Sequence, residues 1–406
     1  MVATLAWKNI WRNKVRSGVI LGAIGIGLFA GFYLSAFMSG WMVATVNSDI
    51  DTYLSHVQIH DTAFLSNGDV NAFFMEGQVK EKIAQSGLPA SVSCHLKLSG
   101  MLASANNAIG VTAKGVNVEE EKAISTVWKQ IPDTLGAFLP GEARMAIVIS
   151  RKIAEKLKVK LKSKIVFTFQ DATGEMQSIA FRVCGIYKTT NAAFDEGTVF
   201  VRRDDIFAYT GLPDGAAHEA AIKVADLETC SIVAPQVKAL FPALDVQSWD
   251  EINPVLSMSL GMIEMFAIII NAIFLFAMSF GIINTMLMAV LERTRELGML
   301  GAIGMSKGKI FRMVMLETVF LTLLGSLAGI AASVAAIVPF MQSGIDLSFM
   351  IEDMFEDFGF GSIVYPVLSL EMFVEILVLV VIAGILSAIY PARKALKLNP
   401  LEAIRK

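Results

Sequence analysis

Cysteine, histidine and charge are all scarce in this chain, and each scarcity removes a class of function. Three cysteines, Cys94, Cys184 and Cys230, allow one disulfide at most, so this is no disulfide scaffold and buried, reduced thiols are expected. Four histidines in 406 residues leave little for acid–base or metal chemistry. His56 and His60 fall on one face of an alternating segment, ~13 Å apart on a strand and too far for a shared ion. With no G-x-S-x-G run and no paired carboxylates, the sequence points away from an enzyme. A G-x-x-x-x-G-K-S/T phosphate loop is also missing, and Gly22–Gly27 follows no strand, so no cofactor is expected in this chain. Neither is a nucleic-acid partner.

Charge is most absent from four runs, Ser17–Ser48, Met265–Leu291, Thr318–Ile345 and Ile376–Ala392. Three exceed the ~20 residues that a membrane-crossing helix needs, and the fourth approaches that length. Only 17% of residues are charged, against ~25% in ordinary soluble domains. Between the first two runs lies a polar segment of about 200 residues, enough for a domain of its own. The expected fold is a membrane protein with four transmembrane α-helices and a large α+β extracytoplasmic domain inserted between the first and second. Its divisions are 1–48 (interfacial helix and first span), 49–250 (outer domain) and 251–406 (three further spans).

The signs of the charges orient these spans. Lys8, Arg12, Lys14 and Arg16 precede the first; Arg293, Arg295, Lys307, Lys309 and Arg312 join the second to the third; Arg393, Lys394, Lys397, Arg405 and Lys406 follow the fourth. The third connection has no Lys or Arg but holds Asp346, Glu352, Asp353, Glu356 and Asp357. The positive-inside rule puts both termini in the cytoplasm and the large domain outside. The first run is too long for a cleaved signal peptide and lacks an A-x-A-like site, so an uncleaved anchor is expected. A secondary transporter would bury ionisable groups in its spans, whereas Glu264 and Glu317 stand only at their edges.

Trp7, Trp11 and Val15, at four-residue spacing, suit a helix at the inner interface. Gly18/Gly22 and Gly27/Gly31 suggest close helix packing. In the outer segment, strands are expected near 53–61, 91–98, 109–115, 145–149, 164–170, 177–187, 197–202, 219–224 and 244–247. Helices are expected near 71–85, 151–158 and 228–240, with the first strand half-buried. Ser248 caps a helix that is expected to run past Pro254 into the second span.

The stretch that leaves the second span is the most specific. Glu292, Arg293, Arg295 and Glu296 lie within five residues, and Gly298, Gly301 and Gly304 recur every third. A short charged helix there offers donors and acceptors to a cytoplasmic partner; the plainer alternative is an ordinary charged turn. The run Leu291-Glu-Arg-Thr-Arg-Glu-Leu-Gly-Met-Leu-Gly-Ala-Ile-Gly304 resembles the signature of the FtsX-like permease family of ABC transporters. Tyr390-Pro-Ala-Arg-Lys-Ala-Leu-Lys-Leu-Asn-Pro-Leu-Glu-Ala-Ile404 resembles that family's last span and tail. Residues 53–60 and 147–157 resemble a MacB-like extracytoplasmic domain more loosely, and the layout is similar to the lipoprotein-releasing (Lol) permeases.

The resemblance implies a type VII permease that pairs with a second permease subunit, identical or not. Cytoplasmic ABC ATPase subunits would carry the ATP–Mg, while this chain stays non-catalytic. Glu292, Arg293, Thr294, Arg295, Glu296, Leu297 and Gly298 would form the coupling helix seated on the ATPase. Phe29, Phe32, Phe37, Met262, Met265 and Phe266 would line an apolar seam between the first two spans and receive lipoprotein or lipid acyl chains. Lipoprotein release from the inner membrane is the leading expectation. MacB-like export of peptides or drugs with a periplasmic adaptor, and FtsX-type mechanical regulation of a cell-wall hydrolase, are the alternatives.

Overall fold

In hydrocarbon only a helix or a closed barrel satisfies its own backbone, and the charge-free runs fall in helices accordingly. The computed structural model describes residues 2–141, 143–346 and 363–396. The acidic residues Glu352, Asp353, Glu356 and Asp357, the tail from residue 397 and the Glu264 side chain lie outside the described residues. Among those described, four helices are long and apolar enough to cross a membrane. The chain forms two compact units, one of Met1–Val43, Ser259–Leu347 and Ile363–Lys406, the other of Ala44–Met258 and Ser348–Ser362.

The helices of the first unit are labelled α1 (Val2–Arg12), α2 (Lys14–Asp49), α3 (Pro254–Glu292), α4 (Thr294–Ala302), α5 (Lys307–Ser343) and α6 (Leu370–Leu396). Helix α1 buries Ala6 and Ile10 and keeps Trp7 and Trp11 exposed, with Trp7 edge-on to Phe320 of α5 at 5.8 Å. Gly18 and Gly22 do not mark a helix contact, since a Cβ on either would meet nothing within 4 Å. Of the expected glycines, Gly31 does, since a Cβ there would fall 2.5 Å from the Asn271 amide oxygen of α3; a second close approach, not expected, lies at Gly25. A Cβ added to Gly329 would fall 2.7 Å from the Gly25 carbonyl oxygen, so the α2 and α5 backbones touch there. Ile24, Leu28, Leu321, Ile376 and Val380 complete the buried centre.

In the second unit nine strands form one sheet: β1 (Val57–His60), β2 (Ser91–Ala103), β3 (Ala108–Val116), β4 (Ala146–Ser150), β5 (Lys164–Gln170), β6 (Met176–Tyr187), β7 (Thr198–Arg202), β8 (Glu219–Lys223) and β9 (Asp245–Ser248). Their order is β9-β1-β8-β2-β3-β7-β4-β6-β5, and β5 pairs also with β2. Six strands therefore close into a barrel, while β9, β1 and β8 continue as an open flap. The thirteen-residue β2 serves both: Ser91–His95 pair with β8 and Leu96–Ala103 with β3. Closure brings Gly100 so near Thr168 that a Cβ would stand 2.4 Å from its carbonyl oxygen. Each lobe has its own core, Leu98, Phe167 and Phe181 in the barrel, Ile59, Ile222 and Val237 in the flap.

Two expectations fail here for physical reasons. Strand β1 is buried on both faces, because Val57 and Ile59 face the flap core while Gln58 and His60 bond to each other and to the Leu54 and His218 carbonyls, with Phe64 stacked on His60. The helix opened by Ser248 stops at Ile252; Asn253 leaves helical geometry, and Pro254 starts α3 where its missing N–H costs nothing.

Candidate functional site

Helix α3 ends at Glu292, and Arg293 leaves helical geometry (φ −98°, ψ 17°) before α4 begins. The Thr294 hydroxyl donates to the Leu291 carbonyl at 2.6 Å, which steadies the corner. Gly304 closes the far side of the elbow at φ +97°, where a side chain would be strained, and a Cβ on Gly301 would meet nothing.

The seven residues of the expected coupling face part company. Arg293 points inward, donating to both oxygens of Glu317 (3.1 and 3.3 Å) and to the Asn9 carbonyl (3.2 Å). Arg16 of α2 donates to the same carboxylate at 3.2 Å, and the Glu317 side chain is 4% exposed. Leu297 and Gly298 are buried. Glu296 pairs with Arg12 of α1 at 2.5 Å, both about half exposed. Glu292 and Arg295 are exposed, and among the described residues neither makes a hydrogen bond or ion pair. One buried carboxylate thus joins the first span, the elbow and the third span, and a smaller charged face remains free.

The six seam residues also separate. Phe32 is a correction: it is fully buried against Phe373 of α6, ring centroids 4.6 Å apart, and lines no opening. Phe32 and Phe37 lie five positions apart, about 140° around the helix, so one seam cannot hold both. Phe29 stacks on Tyr33 and Phe37 packs on Trp41, whereas Met262, Met265 and Phe266 are about half exposed. Where α2 meets α3 at Gly31, one contact is polar: the Asn271 amide donates to the buried Ser35 hydroxyl at 2.6 Å.

A buried charge cluster in the outer unit was not foreseen. His95 Nδ1 lies 2.9 Å from Glu219 Oε1 and Nε2 2.7 Å from Glu121 Oε2. Lys97 reaches Glu219 at 2.5 Å, and Lys114 stands 3.5 Å from Glu121. Burial alone would raise Glu121, yet Lys114 and then His95 hold it down to about 2. The same contest, won by Lys97 and His95, holds Glu219 well below the usual range. Ionised carboxylates only accept, so Lys97 and Lys114 face them as donors, with the His95 ring between the two. The alternation of Ser93, His95 and Lys97 was the one available signal; their partners come from β3, β8 and the helix Val118–Ile124. Such a cluster orders the lobe, and its two carboxylates, held ionised, are poor bases near neutrality. The free thiols are no better as nucleophiles, since burial pushes Cys94 up to about 12 and Cys184 and Cys230 up to about 11.

Residues 268–400 match the FtsX-like permease C-terminal domain. An uncharacterised ABC transporter permease of Methanocaldococcus jannaschii is 28% identical over 231 residues, 55% of each chain. The macrolide export ATP-binding/permease protein MacB of Neisseria gonorrhoeae is 25% identical over 65% of this chain and 38% of its own. The ABC transporter permease YtrF of Bacillus subtilis is 35% identical over 34% of this chain and 30% of its own. The chain spans about half the length, or less, of these curated relatives. Among solved structures, the periplasmic region of MacB from Actinobacillus actinomycetemcomitans aligns with 52% of this chain and 97% of its own, at TM-score 0.36 and 10% identity.

Proposed function

This chain belongs to the FtsX-like permease family, and from that premise we propose that it is the non-catalytic membrane subunit of an ABC transporter, driven by separate cytoplasmic ATPase subunits that hold the ATP–Mg. The observation that carries this reading is the elbow. It offers Glu292 and Arg295 to a partner, while Arg293 and Glu296 tie it to α1, α2 and α5 through Glu317 and Arg12. A push on α4 is thereby delivered to two spans at once. On this reading the elbow and both termini face the cytoplasm of a multi-pass inner-membrane protein, the outer unit lies beyond the membrane, and a second permease subunit completes the pore.

For cargo we read release of acylated lipoproteins, supported by the exposed apolar Met262, Met265 and Phe266 on the second span. Export of a peptide or drug is the second reading, supported by the macrolide-export relatives. ATP-dependent release of an acylated lipoprotein from proteoliposomes, above an ATPase-dead control, tests the first; transport of a macrolide without such release would favour the second.

Reversing the free charges together, Glu292→Lys with Arg295→Glu, tests the coupling itself. Cargo release should fall about tenfold or more, the effect of ~1.4 kcal/mol of lost docking energy, with insertion unchanged. Undiminished release with the ATPase still bound would refute the assignment.

A further inference from the structure

A cavity of about 330 Å³ lies beside the elbow, and the coupling reading leaves it unused. Leu5 of α1, Met286 and Val290 of α3, Leu297 and Leu300 of α4 and Met313 of α5 supply its apolar walls. The Arg12–Glu296 and Arg293–Glu317 pairs border it with their charges already matched. Met299 and Ile303, 45% and 85% exposed, also line it, so it opens at the surface of the unit.

Asn9 and the two ion pairs offer water partners at the border, but along the apolar walls it finds none. Left empty, the walls lose the dispersion contacts that packing supplies. A hydrocarbon chain restores those contacts, and leaving the bilayer costs it little, since lipid tails are as apolar as the walls. The cavity alone would not choose among lipids. The choice comes from its surroundings: Lys8 of α1 and Lys14, Lys307 and Lys309 at the starts of α2 and α5 are exposed and without ion pairs among the described residues. Cations at a membrane surface gain about 1 kcal/mol each from anionic lipid. Exposed Trp7 and Trp11 on α1 suit headgroup depth.

We propose that this cavity holds one acyl chain of an anionic glycerophospholipid, its headgroup on the surrounding cations, so that a bilayer lipid is a packed part of the elbow. The inference rests on the membrane reading above but not on the ATPase.

The test uses the full chain in phosphatidylglycerol nanodiscs containing a small fraction of the same lipid with a diazirine on its acyl chain. After photolysis, labelled residues are mapped by mass spectrometry. Met286, Val290 and Met313 should be labelled about tenfold more than the outward-facing Ile382 and Leu386 of α6. The same probe built on phosphatidylcholine should label the cavity several-fold less. Ala289→Phe, which fills the cavity from its wall, should return cavity labelling to the outward-facing level without changing Ile382 or Leu386. Should that variant fail to insert, Val314→Phe fills the space from α5. Equal labelling inside and outside, or labelling that survives a filled cavity, would overturn the proposal. No ATPase is present in this assay, so its failure leaves the coupling reading intact, and the reverse holds.

Discussion

Glu317 shows how far a single residue can stand from the role its position suggests. From sequence it marks the edge of a span; in the fold it is a buried acceptor for Arg16 and Arg293, which are otherwise two like charges facing each other. Removing one member of such a group leaves uncompensated charge, which is far costlier than losing an exposed pair. Glu317→Ala should therefore destabilise the membrane unit by about 3–5 kcal/mol, whereas Glu296→Ala, which breaks the half-exposed pair with Arg12, should stay within ~1 kcal/mol. Thermal unfolding in detergent compares them, and equal losses would argue against the arrangement. The charged composition of the elbow was legible in sequence because its residues are neighbours. The inward turn of Arg293 was not, because its partners are Glu317, 24 positions on, and Asn9, 284 positions back.

At the scale of elements, legibility followed periodicity. Strand β5 occupies the expected Lys164–Gln170 because its alternation of buried and exposed residues is clean. Strand β1 hid its double-sided burial, since His56, Gln58 and His60 look solvent-facing, yet their partners are the Val224 N–H and the Leu54 and His218 carbonyls inside the fold. Barrel closure between β2 and β5 left no local trace at all, being a contact between distant segments. Helix packing sits between these cases: small residues announced a close approach on α2 but not which of them made it. The structure chooses Gly31 against Asn271 and adds Gly25 against Gly329. Gly329→Leu should push α2 from α5 and cost about 1–3 kcal/mol, as overpacking does, while Gly18→Leu, with open space around it, should be nearly neutral. The surviving folded fraction after heating in detergent would distinguish them, and a tolerant Gly329 would place the contact elsewhere.

For the molecule as a whole, the outer unit's buried histidines and paired carboxylates share one direction of pH dependence, opposed by the buried Asp195, whose carboxyl burial pushes up. Burial lowers the ordinary 6.5 of His56, His60 and His218, so in acid the unfolded chain binds their protons more readily than the folded one. Glu121 and Glu219 act in the same direction: buried yet held down by Lys114, Lys97 and His95, they too take up protons more readily once unfolded. Stability rises with pH wherever the unfolded state binds more protons, so both sets favour the fold at neutral pH and surrender it to acid. The histidine contribution is complete above their ordinary 6.5 and is lost as the pH falls below it. The carboxylate contribution is complete above 4.5 and drains as the pH falls toward about 2 for Glu121. A shift of that size corresponds to about 3 kcal/mol from this one group. Opening of β2 and β8 in the full chain, read as hydrogen exchange divided by the intrinsic amide rate at each pH, should therefore be low and flat above about pH 7, rise below pH 6 and rise again below pH 4. Glu121→Gln should remove much of the lower rise while destabilising the unit at neutral pH, since it leaves Lys114 and His95 short of an anion. Protection that held constant down to pH 4, or grew, would mean that the three histidines are not buried and neutral as the geometry has them.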